Sequence, residues 1–291
     1  MGETRTQTLL VSAGFALITS AIYAFVGIRL ARRPMPRTDR FVVYSFSAFW
    51  IGLAISTIVG ANGIPAALAA RGYADLGFTL GLTQIGLLAI TVALWGLLYY
   101  LVYLYTGRRS SWIPLAVFYV VFFGFLEYFV IDAHPIGLTT TAWAVNVEYQ
   151  KYGPDTSLAN PVIVALIVGL LVPQILASLA YLTLVFRVQS ATQRYQILLV
   201  SLSIFVWFAS PFFALSRNVA QSTQWQLISR FIGLAAAITI FFAYHPPGWI
   251  KRRYHIQGLS DEEIELPSQV QASSHQMGGA HRMAQRVPVP D

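Results

Sequence analysis

Apolar stretches of about 20 residues recur along this chain of 291 residues and constrain its fold more than any other feature. A helix of that length crosses the roughly 30 Å hydrocarbon core of a bilayer. Only 11% of the residues are charged and 56% are hydrophobic, which leaves too few charges to cover a soluble globule of this size. The chain is therefore expected to be an all-α membrane protein.

Hydrophobic runs separated by polar or basic segments predict a seven-transmembrane helix bundle over residues 1–256. The tail, residues 257–291, is rich in Gln, Ser, Gly and Pro and is expected to be mostly disordered in the cytoplasm. The predicted spans are Leu9–Leu30, Phe41–Gly60, Phe78–Tyr105, Trp112–Ile131, Val162–Phe186, Tyr195–Ser216 and Gln226–Tyr244.

The distribution of arginine and lysine predicts the orientation of the bundle. Most basic residues collect on one side, in Arg29–Arg40, Arg108–Arg109, Arg187, Arg194 and Lys251–Arg253, whereas acidic residues such as Glu3 and Asp75 fall on the other. Basic loops face the cytoplasm, so we expect an outside amino terminus, a cytoplasmic carboxyl terminus and a multi-pass protein of the plasma membrane. The same basic residues flank apolar segments and indicate contact with the lipid bilayer, not with nucleic acid.

The longest predicted loop lies outside the membrane between the fourth and fifth helices, from Asp132 to about Pro161. Alternate residues in its middle share one face, as they do in a strand. The pattern predicts a short hairpin or lid over the outer mouth, or else an ordered loop with interfacial aromatic side chains. The residues of this face are Thr141, Trp143, Val145, Val147 and Tyr149.

Two ionisable residues interrupt the predicted spans. Glu127 precedes the outer end of the fourth span by about one turn, and Arg230 follows the outer end of the seventh by about as much. Their similar depth allows a charge-assisted pair. Alternatively, Arg230 extends to the outer headgroups and Glu127 reaches water at the loop.

Uncharged polar and small residues in the spans are expected to serve packing. Gln84 and Gln174 need partners in hydrocarbon and predict helix-to-helix hydrogen bonds. The pairs Gly77/Gly81 and Gly233/Ala237 have the small-residue spacing that lets helices approach closely.

No combination of residues in the sequence indicates catalysis or a cofactor. The chain has no cysteine, and its five histidines are spread over both sides of the membrane, so neither a zinc site nor a bis-histidine haem is expected. His245 follows the last span, where the helix carboxyl end favours it. We therefore predict no enzyme activity, no metal and no cofactor.

Two short runs resemble microbial rhodopsins, a family of seven-helix membrane proteins. Trp207 and Pro211 are spaced like the tryptophan and proline of that family's sixth helix, and Tyr73–Asp75 with Phe78–Thr79 is similar to the start of its third. The family holds retinal on a lysine of the seventh helix. Only Lys151 and Lys251 occur here, both outside the spans, so the resemblance implies at most a retinal-free relative. The layout also resembles the seven-helix sensory modules that precede histidine kinases.

These patterns favour a sensor or receptor with an outward-facing polar pocket and a cytoplasmic or membrane protein partner. The alternative is an accessory or scaffold subunit of a larger membrane complex. A transporter is less favoured because the inner halves of the spans contain no ionisable residue. The ligand stays open, and the residues of the predicted outer pocket are Glu127, Tyr128, Asp132, His134, Trp143, Arg217 and Arg230.

Overall fold

Helices make up most of the computed structural model, which describes residues 3–32, 40–151, 153–154, 168–169, 172–215 and 223–254. Within these ranges the side chains of 153–154, 209–215 and 223–224 are not described, and both Arg217 and the predicted tail lie outside them. The helices are α1 (Glu3–Ala31), α2 (Arg40–Val59), α3 (Ile64–Ala70), α4 (Leu76–Thr106), α5 (Trp112–Asp132), α6 (Val172–Thr183), α7 (Ala191–Leu215), α8 (Thr223–Tyr244) and α9 (Gly248–Tyr254).

Five helical segments of the described chain are long and apolar enough to cross a membrane, which makes this a multi-pass membrane protein. They contain the predicted first, second, third, fourth and seventh spans. Helices α6 and α7 lie where the fifth and sixth spans are predicted, and part of that region is outside the described residues. The number seven therefore stays a prediction. The five segments are Glu3–Ala31, Arg40–Ala70, Leu76–Thr106, Arg109–Asp132 and Trp225–Tyr244.

The helices pack as a ring with one helix outside it. Around the ring, α4 contacts α2, α2 contacts α1, α1 contacts α8, α8 contacts α7, α7 contacts α6, and α6 returns to α4. Helix α5 packs mainly on the outer side of α4 and leaves most of its apolar surface exposed. The first and last long helices are thus neighbours, although more than 190 residues separate them in the chain.

A small antiparallel sheet covers one end of the ring. It consists of β1 (Pro135–Thr140), β2 (Val145–Tyr149) and β3 (Gly153–Pro154), in that order. The predicted alternation is confirmed over β2, where Val145, Val147 and Tyr149 are buried. Trp143 is buried as well, whereas Thr141 is half-buried. We call the end of the ring where α1 begins and α2 ends the hairpin end. The opposite end, where α1 ends and α2 begins, is called the basic end.

Contacts with the hairpin explain why α1 begins earlier than its hydrophobicity predicts. The guanidinium of Arg5 donates to the carbonyl oxygen of Thr140, and Thr8 Oγ1 donates to that of Ala142 at 2.6 Å. The first turns of α1 are polar and precede its apolar stretch. These bonds pair their side chains with carbonyl oxygens of the hairpin. Helix α3, which the hydrophobic pattern did not predict, packs beside them through Ala66.

Two glycines allow the close approach of α2 and α4. A Cβ atom on Gly52 would lie 2.6 Å from the carbonyl oxygen of Ala89, and one on Gly96 would overlap the carbonyl oxygen of Ser45. By contrast, a Cβ atom on Gly81 or Gly233 would meet nothing within 4 Å. The close packing predicted at those two glycines is therefore wrong, because neither faces a neighbouring helix backbone.

Serine hydroxyls join neighbouring helices by donating to backbone carbonyls. Ser47 in α2 donates to Gly27 of α1 at 2.5 Å, and Ser203 in α7 donates to Ala236 of α8 at 2.7 Å. In hydrocarbon, small residues of this kind let helices approach and satisfy their own polar groups at the same time. They fix the ring around a buried aromatic core that includes Trp50.

Candidate functional site

Arg230 lies about two turns into α8 and connects three parts of the ring near the hairpin end. Its Nε donates to Ser12 Oγ in α1 at 3.2 Å. Its Nη2 donates to Asn62 Oδ1 in the α2–α3 connection at 2.5 Å and to Gln226 Oε1, one turn earlier in α8, at 3.3 Å. The guanidinium is therefore held inside the protein instead of extending to the headgroups.

All three partners of Arg230 are neutral. Among the described residues, no carboxylate lies within ion-pair distance of its guanidinium. Moving a charge out of water costs several kcal/mol, and neutral dipoles recover only part of that cost. The site is thus a buried positive charge that the described part of the chain does not neutralise.

A cavity of about 260 Å³ adjoins this charge. Its walls come from α1, α2, α7 and α8, and it extends to the α2–α3 connection. Hydroxyl groups, two aromatic rings and small residues form most of the lining that the structure describes, and Arg230 is the one titratable residue in that lining. The lining residues are Phe15, Ala16, Thr19, Ser56, Thr57, Gly60, Asn62, Trp207, Ser229, Arg230 and Gly233.

Thr57 adds an unused polar group to this cavity. Its Oγ1 is buried and makes no hydrogen bond with the described residues. Buried hydroxyls are nearly always paired, with protein, water or ligand. The cavity therefore presents a cation and a hydroxyl to whatever occupies it, next to the rings of Phe15 and Trp207.

Glu127 belongs to a different interface from Arg230. Gln84 Nε2 in α4 donates to Glu127 Oε2 in α5 at 3.1 Å, which is the helix-to-helix bond predicted for Gln84. The Glu127–Arg230 pair, one of the two arrangements that the sequence allows, is not formed. The reason is the position of α5, which packs on the outer side of α4, whereas α8 packs between α1 and α7.

The other described residues of the predicted outer pocket lie around the hairpin and are not among the residues that line the cavity. Asp132 Oδ2 forms an ion pair with Lys151 Nζ at 2.6 Å, and Nδ1 of His134 lies 2.8 Å from the carbonyl oxygen of Asp132. Trp143 is buried beneath the hairpin, whereas 62% of the Tyr128 side chain is exposed. Arg217 lies outside the described residues.

Gln174 and Asp75 are two further residues that the sequence singles out. Gln174 is completely buried, but its side-chain amide makes no hydrogen bond with the described residues, so its predicted helix-to-helix bond is not seen there. Asp75, part of the rhodopsin-like run, caps α4 by accepting a hydrogen bond of 2.6 Å from the backbone N–H of Phe78. Helix capping accounts for an aspartate at that position.

Neither comparison with known proteins assigns a family to this chain. A scan against protein-family models gives no match, and a search of curated proteins gives no relative of significant similarity. Within the described ranges, no group of three or more histidines, aspartates and glutamates could hold a metal ion.

Sequence reasoning identified Arg230 but missed its partners. Ser12 and Asn62 are ordinary polar residues in the sequence, and only the packing of α1 and α2 against α8 brings them to the guanidinium. One signal pointed to Thr57. The polar run Ser56-Thr57 lies near the outer end of the second predicted span, at the same predicted depth as Arg230.

Proposed function

We propose that the protein is a seven-helix sensor or receptor of the plasma membrane whose cavity at Arg230 binds a small ligand from outside. The observation that carries this proposal is a cavity of about 260 Å³ beside a buried, un-neutralised cation. Ligand sites in helix bundles are formed in this way, by a few convergent polar groups among apolar walls. Since Arg230 is the one acid or base among the described residues that line the cavity, this lining suits binding better than proton transfer.

The charge distribution supports an outside position for the hairpin end. Basic side chains cluster where α1, α4 and α8 end, and the positive-inside rule assigns such a cluster to the cytoplasm. The cavity then faces the outer leaflet and the hairpin lies outside the membrane. The residues of this basic cluster are Arg29, Arg32, Arg40, Arg108, Arg109, Lys251, Arg252 and Arg253.

A continuous contact between α1 and α8 supports transmission from the cavity to the basic end. Near the cavity, the rings of Phe15 and Phe231 lie 5.0 Å apart, edge to face. At the basic end, the ring of Phe25 in α1 lies 5.4 Å from that of His245, just after α8. A ligand that shifts α8 relative to α1 would therefore also move α9 and its basic residues, where a cytoplasmic partner could respond.

Purification from native membranes tests this proposal, with mass spectrometry of the small molecules bound to the protein. Gly233 lines the cavity and has open space around its Cα, so Gly233→Leu fills the cavity without a backbone clash. Gly124→Leu is the matched control, because Gly124 in α5 also has open space but lies away from the cavity. We expect a bound molecule in the wild type and the control that is missing from Gly233→Leu. Equal content in all three would refute the proposal.

The exposed face of α5 favours a second candidate, an accessory or scaffold subunit. Large apolar side chains cover this face, including Val117, Phe118, Val121 and Phe125, and α5 is the least buried of the five candidate spans. Such a face can contact lipid or another membrane protein equally well. Co-purification of one membrane protein in fixed ratio, unaffected by Gly233→Leu, would favour this candidate over the sensor.

A further inference from the structure

The hydrogen bonds that Arg230 forms with the described residues use only two of its three nitrogens. A guanidinium carries five N–H donors. Nε uses its donor on Ser12, and Nη2 uses its two on Asn62 and Gln226. Nη1 makes no hydrogen bond with the described residues, although Arg230 lines the cavity. Two donors of a cation are therefore available to an occupant.

Four of the described acidic residues near the hairpin end are bound elsewhere, and Glu3 is exposed at the first residue of α1, so none of them forms an ion pair with Arg230. Asp75 accepts from the backbone of α4, and Glu127 accepts from Gln84. Asp132 pairs with Lys151, and Glu148 Oε2 accepts from Thr139. A negative charge that reaches the guanidinium has to come from another source, and an anionic occupant of the cavity supplies it.

The remaining walls of the cavity specify the rest of that occupant. Phe15 and Trp207 offer apolar surface, and Thr57 Oγ1 offers a hydroxyl without a partner. A volume of about 260 Å³ lies below the range of roughly 300–1,000 Å³ typical of pockets for larger organic ligands. The space thus fits a molecule of a few carbon atoms with one charged end.

On the basis of the receptor function proposed above, we infer that the cavity binds a small organic carboxylate. One carboxylate oxygen accepts from Nη1 of Arg230, Thr57 Oγ1 donates to the ligand, and the carbon chain contacts Phe15 and Trp207. Planar guanidinium and carboxylate groups form short, charge-assisted hydrogen bonds. No bond is made or broken in the ligand.

The first test uses the full chain in nanodiscs of zwitterionic lipid and compares butyrate with butyramide, its neutral analogue of similar shape. We expect butyrate to raise the thermal midpoint and to bind in calorimetry, and butyramide to do neither. Equal binding of the two would overturn the inference, because it would show that the negative charge is not recognised. Equal stabilisation by chloride would overturn it as well, in favour of an inorganic anion site.

Two variants test the role of the guanidinium. Arg230→Gln removes the cation, and Asn62→Asp provides a carboxylate at the atom that already lies 2.5 Å from Nη2. Because a charge-assisted hydrogen bond contributes about 1.5–3 kcal/mol, each should weaken butyrate binding about tenfold or more. Thr239→Val, on the exposed part of α8 at a distance from the cavity, should leave the affinity unchanged. Undiminished affinity in Asn62→Asp would contradict the inference.

These experiments separate the carboxylate inference from the receptor proposal. If a neutral molecule co-purifies with the wild type, is lost in Gly233→Leu and persists in Arg230→Gln, the receptor proposal holds and the carboxylate inference fails. If nothing co-purifies and butyrate does not bind, both fail. If Arg230→Gln does not fold, the comparison of butyrate with butyramide on the wild type still tests whether the cavity recognises a negative charge.

Discussion

The Nη2 atom of Arg230 donates a hydrogen bond of 2.5 Å to Asn62 Oδ1 and thereby fastens α8 to the α2–α3 connection. Asn62→Ala removes this acceptor and leaves a buried donor of a cation unpaired. We expect a loss of about 1–3 kcal/mol in the free energy of unfolding, seen as a lower thermal midpoint in detergent. Asn62→Asp should instead raise the midpoint, because it gives Arg230 a counter-charge in place. A lower midpoint in Asn62→Asp would mean that the guanidinium is already neutralised in the folded protein.

The glycines between α2 and α4 provide a second prediction. Gly96→Ala places a methyl group on the carbonyl oxygen of Ser45, which is backbone and cannot rotate away. We expect this variant to force the two helices apart and to lower the free energy of unfolding by about 1–3 kcal/mol. Gly81→Ala in the same helix has open space and is the matched control. Unfolding in mixed micelles, followed by circular dichroism, measures both, and equal midpoints would contradict the close approach.

The orientation of the chain can be measured directly because the wild type has no cysteine. Gln150 is exposed beside the hairpin, and Ser110 is exposed in the turn before α5 at the basic end. We expect a membrane-impermeant maleimide to label Gln150→Cys in intact cells and to label Ser110→Cys only after the cells are opened. The reverse pattern would place the cavity on the cytoplasmic side and remove the basis for an external ligand.

We expect the stability of the folded protein to depend on pH through His245. Burial lowers the pKa of His245 below its ordinary value, and the charges of Arg29 and Lys251 act in the same direction, against an opposing hydrogen bond to the backbone of Phe241. The unfolded chain therefore binds a proton more readily than the folded one. Stability from the neutral ring is complete above the unfolded pKa of about 6.5 and is lost as the pH falls towards the folded pKa.

The measurement for His245 is the thermal midpoint of the wild type and of His245→Gln at about pH 8 and about pH 5.5. We expect acid to lower the midpoint of the wild type more than that of the variant, since glutamine does not titrate. Comparison of the two proteins cancels the contribution of the other histidines. An equal fall in both would show that the ring titrates alike in the folded and unfolded chains.

Five of the long helices could be predicted from local sequence, because an apolar stretch of about 20 residues has the length needed to cross a bilayer. The alternation that ends at Tyr149 similarly predicted a strand. The contacts of Arg230 could not be predicted, since Ser12 and Asn62 lie far from it in the chain and only the order of the helices in the ring brings them together. Gly96 gave no signal either, because its neighbours one turn away, Val92 and Tyr100, are both large.

The contact of the first helix with the last has a consequence for the order of assembly. A chain is synthesised from its amino terminus, so Ser12 and Asn62 enter the membrane long before Arg230 exists. When α8 emerges, its arginine has no partner on its own helix except Gln226. The charge reaches its other partners only when α8 enters the gap beside α1. Completion of the ring and removal of the arginine from the surrounding lipid are thus one event.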